Sequence, residues 1–318
     1  MILSVSRRTD IPNYYSEWFY NRIREGFLYV RNPMNLHQIS KISLSSDIVD
    51  CIVFWTKNPA NMMPRLDELQ NYKYYFQFTL TGYGKDIEPN IPNKRKDLIK
   101  TFQNLSERIG SEKVIWRYDP ILLNEKYLSE YHIKAFKEIA SQLNGYTHKV
   151  VISFVDLYAK TKRNTGGLNI KEINNNEIME LTRKMAEIAK ENHLNIETCA
   201  EQVDLRETGI THGSCIDKDL IEQLVGCKLK VNKDRNQREE CGCFESVEVG
   251  TYNTCKNGCK YCYANFNEEQ VKASAKLYDV NSPLLCGNIG IEDKITERKV
   301  KSMKEEQFSL FDYHHGIG

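Results

Sequence analysis

Seven short runs, most of them continuously apolar, constrain this chain more than any other feature. They lie at residues 2–6, 51–55, 74–80, 114–117, 150–155, 194–198 and 247–252 and are rich in β-branched and aromatic residues. A run without polar alternation reads as a strand buried on both faces. Between the runs lie amphipathic stretches. Residues 96–108 set Leu98, Ile99, Phe102 and Leu105 at helical spacing, and 131–143 and 176–191 follow the same period. Strand and helix in alternation imply parallel strands joined by right-handed crossovers, hence an α/β open sheet or a (β/α) barrel. Seven strands spread over the chain suit a full or partial TIM-type barrel better than a two-layer sheet.

The 318 residues suffice for one large domain or two modest ones. Residues 1–265 read as a barrel-like catalytic domain. Residues 266–318 read as an extension, with a short helix at 267–277 and a solvated or mobile tail from about 288, where Lys and Glu are dense. No stretch approaches the roughly 20 apolar residues of a membrane span. The opening Met1-Ile-Leu-Ser-Val-Ser-Arg-Arg lacks the basic and then apolar regions of a signal peptide, so a cytoplasmic location is expected. A net charge of +1 excludes a broad electrostatic hold on nucleic acid and leaves room only for a local basic groove.

Polar and charged residues recur just after the predicted strands. They include Arg7, Arg8 and Asp10, Lys57 and Asn58, Arg117 and Asp119, Asp156 and Tyr158, and Glu197 and Glu201. In a barrel every strand delivers its C-terminal end to one mouth, where the chemistry sits. Arg7, Arg8, Asp10, Lys57, Arg117 and Asp119 are therefore the catalytic candidates, expected to share that mouth. Arginine there suits a carboxylate or phosphate, which it binds bidentately; a plain Arg–Asp ion pair explains the same residues. Gly82, Gly84, Gly166 and Gly167 lack phosphate-loop spacing, and no His-Glu-x-x-His or Gly-x-Ser-x-Gly motif occurs.

Nine of the ten cysteines lie from Cys199 onward. Disulfide staples would be spread over the fold, whereas ligands gather round a centre. Cys255, Cys259 and Cys262 form a C-x3-C-x2-C run in which Gly258 permits a tight turn. Three thiolates can hold three corners of a [4Fe–4S] cube and leave the fourth iron open to a small molecule. A structural zinc knot is the alternative, but zinc sites usually pair C-x2-C units and this run has one.

With Tyr261 before its last cysteine, the run resembles the signature of the radical S-adenosylmethionine superfamily. That resemblance implies a full or partial (β/α) barrel with the cysteine loop at its mouth. It implies that S-adenosylmethionine chelates the open iron and is split to a 5′-deoxyadenosyl radical, with a reductant such as ferredoxin or flavodoxin. Tyr261, Asn58, Glu197 and Glu201 are then candidate cofactor contacts. Two departures stand out: the superfamily's loop follows its first strand and this one the last, and its Gly-Gly-Glu segment has no counterpart here. The whole chain more closely resembles a family of uncharacterised bacterial and archaeal proteins with a C-terminal cysteine cluster. The match runs from Ser6-Arg-Arg-Thr-Asp10 through Phe54-Trp-Thr-Lys-Asn-Pro59 and Trp116-Arg-Tyr-Asp-Pro120 to the cysteine loop. A circular permutation reconciles the order of the elements.

Cys199, Cys215, Cys241 and Cys243 offer four more thiols, enough for a second cluster that needs no external ligand, with iron–sulfur expected over zinc; buried free thiols are the alternative. Two function classes follow. One is a radical S-adenosylmethionine-type enzyme acting on a small molecule or nucleic acid, since Trp116-Arg-Tyr-Asp-Pro120 and Phe54-Trp-Thr-Lys57 resemble segments of spore photoproduct lyases. The other is an iron–sulfur protein that moves electrons or senses redox state. In the tail, Gln307, Leu310 and Phe311 resemble the peptide by which bacterial repair proteins dock on the sliding clamp; packing of Leu310 and Phe311 on the barrel is the other account.

Overall fold

The structure is a computed structural model and describes residues 1–155 and 164–305. The expectations placed on Asp156, Tyr158, Gln307, Leu310 and Phe311 fall outside the described residues. Eleven strands are described: β1 (Ile2–Val5), β2 (Phe27–Asn32), β3 (Asn35–Ser43), β4 (Cys51–Thr56), β5 (Tyr74–Thr79), β6 (Val114–Ile121), β7 (Lys149–Phe154), β8 (Asn195–Thr198), β9 (Thr211–His212), β10 (Val247–Glu248) and β11 (Lys294–Glu297). The helices are α1 (Ile11–Tyr14), α2 (Ser16–Glu25), α3 (Ile99–Ile109), α4 (Ser129–Leu143), α5 (Asn175–Glu191), α6 (Lys218–Val225) and α7 (Glu268–Lys276). None is long and apolar enough to cross a membrane.

Eight strands form one sheet in the order β10-β1-β4-β5-β6-β7-β8-β9, and every pairing in it is parallel. The seven apolar runs supply β1, β4 to β8 and β10. The fold is therefore α/β with a parallel sheet. β9 and β10 end the sheet, and among the described residues no ladder joins them to close a barrel.

The side-chain period of two sorts each strand between two cores. Leu3, Phe54, Phe76, Phe78, Trp116, Val150 and Ile152 pack on Phe102 of α3, Phe136 of α4 and Leu181 and Met185 of α5. Their neighbours Ile2, Cys51, Val53, Tyr75, Ile115 and Val151 face the other way. They meet Cys215, Ile216, Leu229, Cys241 and Cys243, and Ile221 of α6. One face thus carries the crossover helices. The other is covered by the chain between β9 and β10, a 34-residue connection from Gly213 to Ser246 with a single helix in it.

A second sheet, ordered β11-β3-β2, lies beside the first. In the stretch from residue 288, expected as a solvated surface segment or mobile tail, β11 pairs in parallel with β3 from Lys294↔Gln38 to Glu297↔Lys41. Its side chains are mostly exposed, so the ladder is made by backbone groups that leave no apolar trace in the sequence. Residues 277–305 hold elsewhere too. Trp18 Nε1 donates to Ser282 O at 2.8 Å, and buried Asp50 accepts from Ser302 Oγ at 2.6 Å and Met303 N at 2.8 Å.

Candidate functional site

After β10 the chain passes Gly250, where a Cβ would stand 1.7 Å from Ser6 Oγ; only glycine allows this approach to the end of β1. The loop that follows is held from several sides. Tyr15 Oη donates to Thr254 O at 2.7 Å, Asn90 Nδ2 to Lys256 O at 2.7 Å, and Lys260 N to Ile87 O at 2.9 Å. Gly258 makes its turn at φ +69°. Asn257 Nδ2 donates to Asp10 Oδ2 at 3.0 Å. The same buried carboxylate accepts from Thr56 Oγ1 at 2.6 Å, Lys57 N at 2.8 Å and Asn13 N at 3.2 Å. Asp10 is thus the knot that ties β1, β4 and the cysteine loop together.

Cys255, Cys259 and Cys262 are partly buried and free of disulfides. Burial pushes all three thiols up, Cys255 to about 12, and Cys259 is raised further by its proximity to the other two sulfurs. Backbone N–H groups of Asp10 and Asn257 donate to Cys255, and those of Ala264 and Asn265 to Cys262. Lys57 favours the thiolates of Cys259 and Cys262.

Beside the loop lies a charged knot that the sequence did not announce. Glu88, 1% exposed, accepts from Lys57 Nζ at 2.8 Å and Thr81 Oγ1 at 2.9 Å, and also from Lys94 Nζ and Tyr261 Oη. Burial would raise the Glu88 carboxyl, but the two ammoniums hold it down at about 2. Lys57, although buried, is held above its ordinary value by Glu88 and Cys259. Two cations on one carboxylate leave a net positive charge against Cys259. Glu88 and Lys94 sit among other charged turn residues, so no periodicity marked them.

Further across the mouth, the guanidiniums of Arg7 and Arg117 each lie 5.2 Å from the Trp55 ring. Arg117 pairs with Asp119, Nε to Oδ1 at 3.0 Å, and its Nη1 reaches Cys215 Sγ at 2.6 Å. Tyr263 Oη of the loop donates to Arg7 O at 2.8 Å. Arg8 stacks on Tyr252 and reaches Gly250 O at 3.4 Å. Arg7, Arg8, Asp10, Lys57, Arg117 and Asp119 therefore sit in one run of contacts with the cysteine loop. Asn58 instead caps a turn, its Oδ1 accepting from Ala60 N at 3.2 Å. Glu197 pairs with Lys149 at 2.9 Å, and Glu201 accepts from Phe154 N at 2.7 Å; neither contact is with the loop.

The other four cysteines also meet. Cys215 Sγ lies 3.2 Å from Cys199 Sγ. Cys215 N donates to Cys243 Sγ at 3.3 Å, and Cys241 is an electrostatic neighbour of Cys199 and Cys243. As they stand, no described group of three or more His, Cys, Asp or Glu side chains is disposed to hold a metal ion. A cubane asks for something different of the loop: thiols on separate irons, donors to their sulfurs and a cationic neighbour. Cys255, Cys259 and Cys262 have the last two, and their residues fit the group in that sense.

The family model described as Domain of unknown function (DUF1848) matches residues 2–264. No curated protein matches the chain. Among solved structures, one from Bacteroides thetaiotaomicron, provisionally described as an alpha-L-fucosidase, is similar at 9% identity and a TM-score of 0.26. The likeness covers 57% of this chain and 86% of that one, and at this level it carries no argument.

Proposed function

The chain belongs to that domain family of unknown function, and from its site we propose an iron–sulfur enzyme of the radical S-adenosylmethionine type. In this reading its sheet is a partial (β/α) barrel, and Cys255, Cys259 and Cys262 hold a [4Fe–4S] cluster. The observation that carries the reading is the loop's setting. Three thiols, two of them with paired backbone donors, lie at the C-terminal ends of parallel strands beside a buried lysine pair. The bound cluster would supply single electrons and an open iron for the amino and carboxylate groups of the cofactor.

The protein's own residues do the rest. Lys57, held charged by Glu88, faces the Cys259 sulfur and offsets the anionic charge of bound thiolates. Tyr261 donates its phenol to Glu88, which locks the residue before Cys262 against the lysine pair, and its ring packs 6.0 Å from Tyr83. Asp10 fixes the loop through Asn257. Asp119 orients Arg117, and Arg117 and Arg7 both lie over the Trp55 ring, two guanidiniums suited to an anionic group.

The test is anaerobic purification from iron-replete cells, followed by iron and sulfide analysis and electron paramagnetic resonance of the reduced protein. The expected protein is brown, with about four irons and four sulfides per cluster. Its spectrum should change when S-adenosylmethionine is added, and the triple Ala variant of Cys255, Cys259 and Cys262 should lose that signal. Colourless wild-type protein carrying zinc at the loop overturns the cluster. A spectrum indifferent to S-adenosylmethionine leaves an electron carrier and overturns the enzyme.

A further inference from the structure

Cys199 follows the end of β8, Cys215 follows β9, and Cys241-Gly-Cys243 precedes β10. Cys215 Sγ lies 3.2 Å from Cys199 Sγ, Cys215 N donates to Cys243 Sγ at 3.3 Å, and Cys241 is an electrostatic neighbour of Cys199 and Cys243, so the four thiols form one ring of neighbours. The Cys199–Cys215 spacing of 3.2 Å is too long for a disulfide, whose sulfurs stand about 2.05 Å apart. It is also shorter than the edge of a tetrahedron of thiolates around zinc, about 3.8 Å for metal–sulfur bonds of about 2.3 Å. A [4Fe–4S] cluster would hold its cysteine sulfurs farther apart still. Each of its cysteines binds a different iron, and sulfides and irons stand between the cysteine sulfurs.

The ring is built rather than incidental. Tyr75 Oη and Gln77 Nε2 both donate to Cys215 O, at 2.6 and 2.9 Å, from inside the sheet. Gly242 brings the Cys-Gly-Cys turn so close that a Cβ would lie 2.8 Å from Gly213 O. Cys215 N and Ile216 N donate to Cys243 Sγ at 3.3 and 3.4 Å. Arg117 Nη1 lies 2.6 Å from Cys215 Sγ. Arg7, whose buried Nη2 has no hydrogen-bond partner, has Cys243 as its foremost electrostatic neighbour. A divalent ion on four thiolates carries two net negative charges, and buried cations and N–H donors against the sulfurs are what such a centre needs.

We propose that Cys199, Cys215, Cys241 and Cys243 bind one mononuclear divalent metal ion, zinc, as a tetrathiolate. Binding displaces the thiol protons and opens the Cys199–Cys215 spacing by about half an ångström, toward the spacing that zinc sets. All four positions are taken by protein, so the ion is structural and has no open site for a substrate. Its place explains its use. β9 and β10 are the two ends of the sheet that, among the described residues, no ladder joins, and the ion ties the chain beside one to the chain beside the other. It does with coordination bonds what hydrogen bonds do in a closed barrel.

The experiment uses the full chain, as wild type and as the triple Ala variant of Cys255, Cys259 and Cys262, purified anaerobically. Metal and sulfide analysis is combined with X-ray absorption at the zinc edge. The expected result is one zinc per chain in both proteins, with four sulfur neighbours near 2.3 Å and no metal–metal scattering. Cys241→Ser and Cys243→Ser should each lose it. Should these variants fail to fold, the absorption spectrum of the wild type alone decides. Iron with sulfide surviving in the triple variant overturns the proposal in favour of a second cluster. So does metal-free protein with four titratable thiols, or a mass lower by two or four hydrogens, which marks disulfides. Wild-type protein that carries the zinc but no iron–sulfur cluster at the loop would overturn the proposed function and leave this site standing.

Discussion

Glu88 and His132 are two buried ionisable residues that no pattern marks, and acid should find both. The Glu88 carboxyl is held at about 2 against an ordinary 4.5. Its folded value is depressed, so its contribution is complete above about pH 4.5 and is lost as pH falls toward 2. The shift corresponds to about 3 kcal/mol. His132 donates from Nε2 to Leu122 O at 2.9 Å while Nδ1 accepts from Tyr118 Oη at 2.9 Å. Burial holds it down to about 4 from 6.5, so it is kept neutral and its stabilisation disappears earlier, from pH 6.5 toward 4, by a similar amount. Urea denaturation at stepped pH should therefore show two successive declines. His132→Gln should flatten the first and Glu88→Gln the second. Glu88→Gln should also cost about 3–5 kcal/mol at pH 7 by leaving two buried ammoniums on a neutral amide. An unchanged urea midpoint in that variant would show the lysines finding other partners. The residues legible in sequence were those with unusual chemistry at strand ends, such as Arg117 and Lys57. Glu88 and Lys94 were not, because a charged turn residue looks the same whether it faces water or a lysine.

At the scale of elements, burial decided what could be read. β4 and β5 were legible because both faces are covered and their apolar runs are continuous. The β2–β3 hairpin was not. β3 is exposed over its first four residues, and the turn at Pro33-Met34 has no glycine to signal it. β11 was missed for the same reason, and it matters for stability. Ending the chain at Asn288 would uncover the β3 edge and strip Asp50 of the Ser302 and Met303 donors. The expected cost is about 1–3 kcal/mol, read as a lower urea midpoint with more aggregation on refolding. Gly250 is the corresponding point at the loop's entrance. Ser6 Oγ accepts from Arg8 N and Thr9 N, so it cannot retreat from a new methyl group. Gly250→Ala should cost about 1–3 kcal/mol and lower iron retention, whereas Gly145→Ala, with open space around it, should leave iron unchanged. Equal iron in both variants would release the loop from dependence on this approach.

Across the whole molecule, one sheet separates a helical side from a side covered by a long, sparsely helical connection. Hydrogen exchange should reflect that division. Amides of β4, β5 and β6 should be slowest, and residues 232–240 should be fast, speeding further when metal is chelated. Equal protection of that connection with and without chelator would show that the four thiols do not anchor it. The sequence disclosed the parallel architecture because alternation is a property of the whole chain. It could not disclose which cysteines meet, since Cys199 and Cys241 are brought together only by the order of the strands. That order also sets a timetable for biosynthesis. β1 pairs with β4 on one side and with β10 on the other, so Ser4 waits for Glu248 while the 243 residues between them are translated. At about 5–20 residues per second, the interval is on the order of 10–50 s. The ribosome thus delivers the thiols of the C-terminal loop after Asp10, Lys57 and Glu88 have emerged. If the loop takes up a cluster as proposed, the cradle of Asp10, Lys57 and Glu88 is already synthesised when its thiols appear.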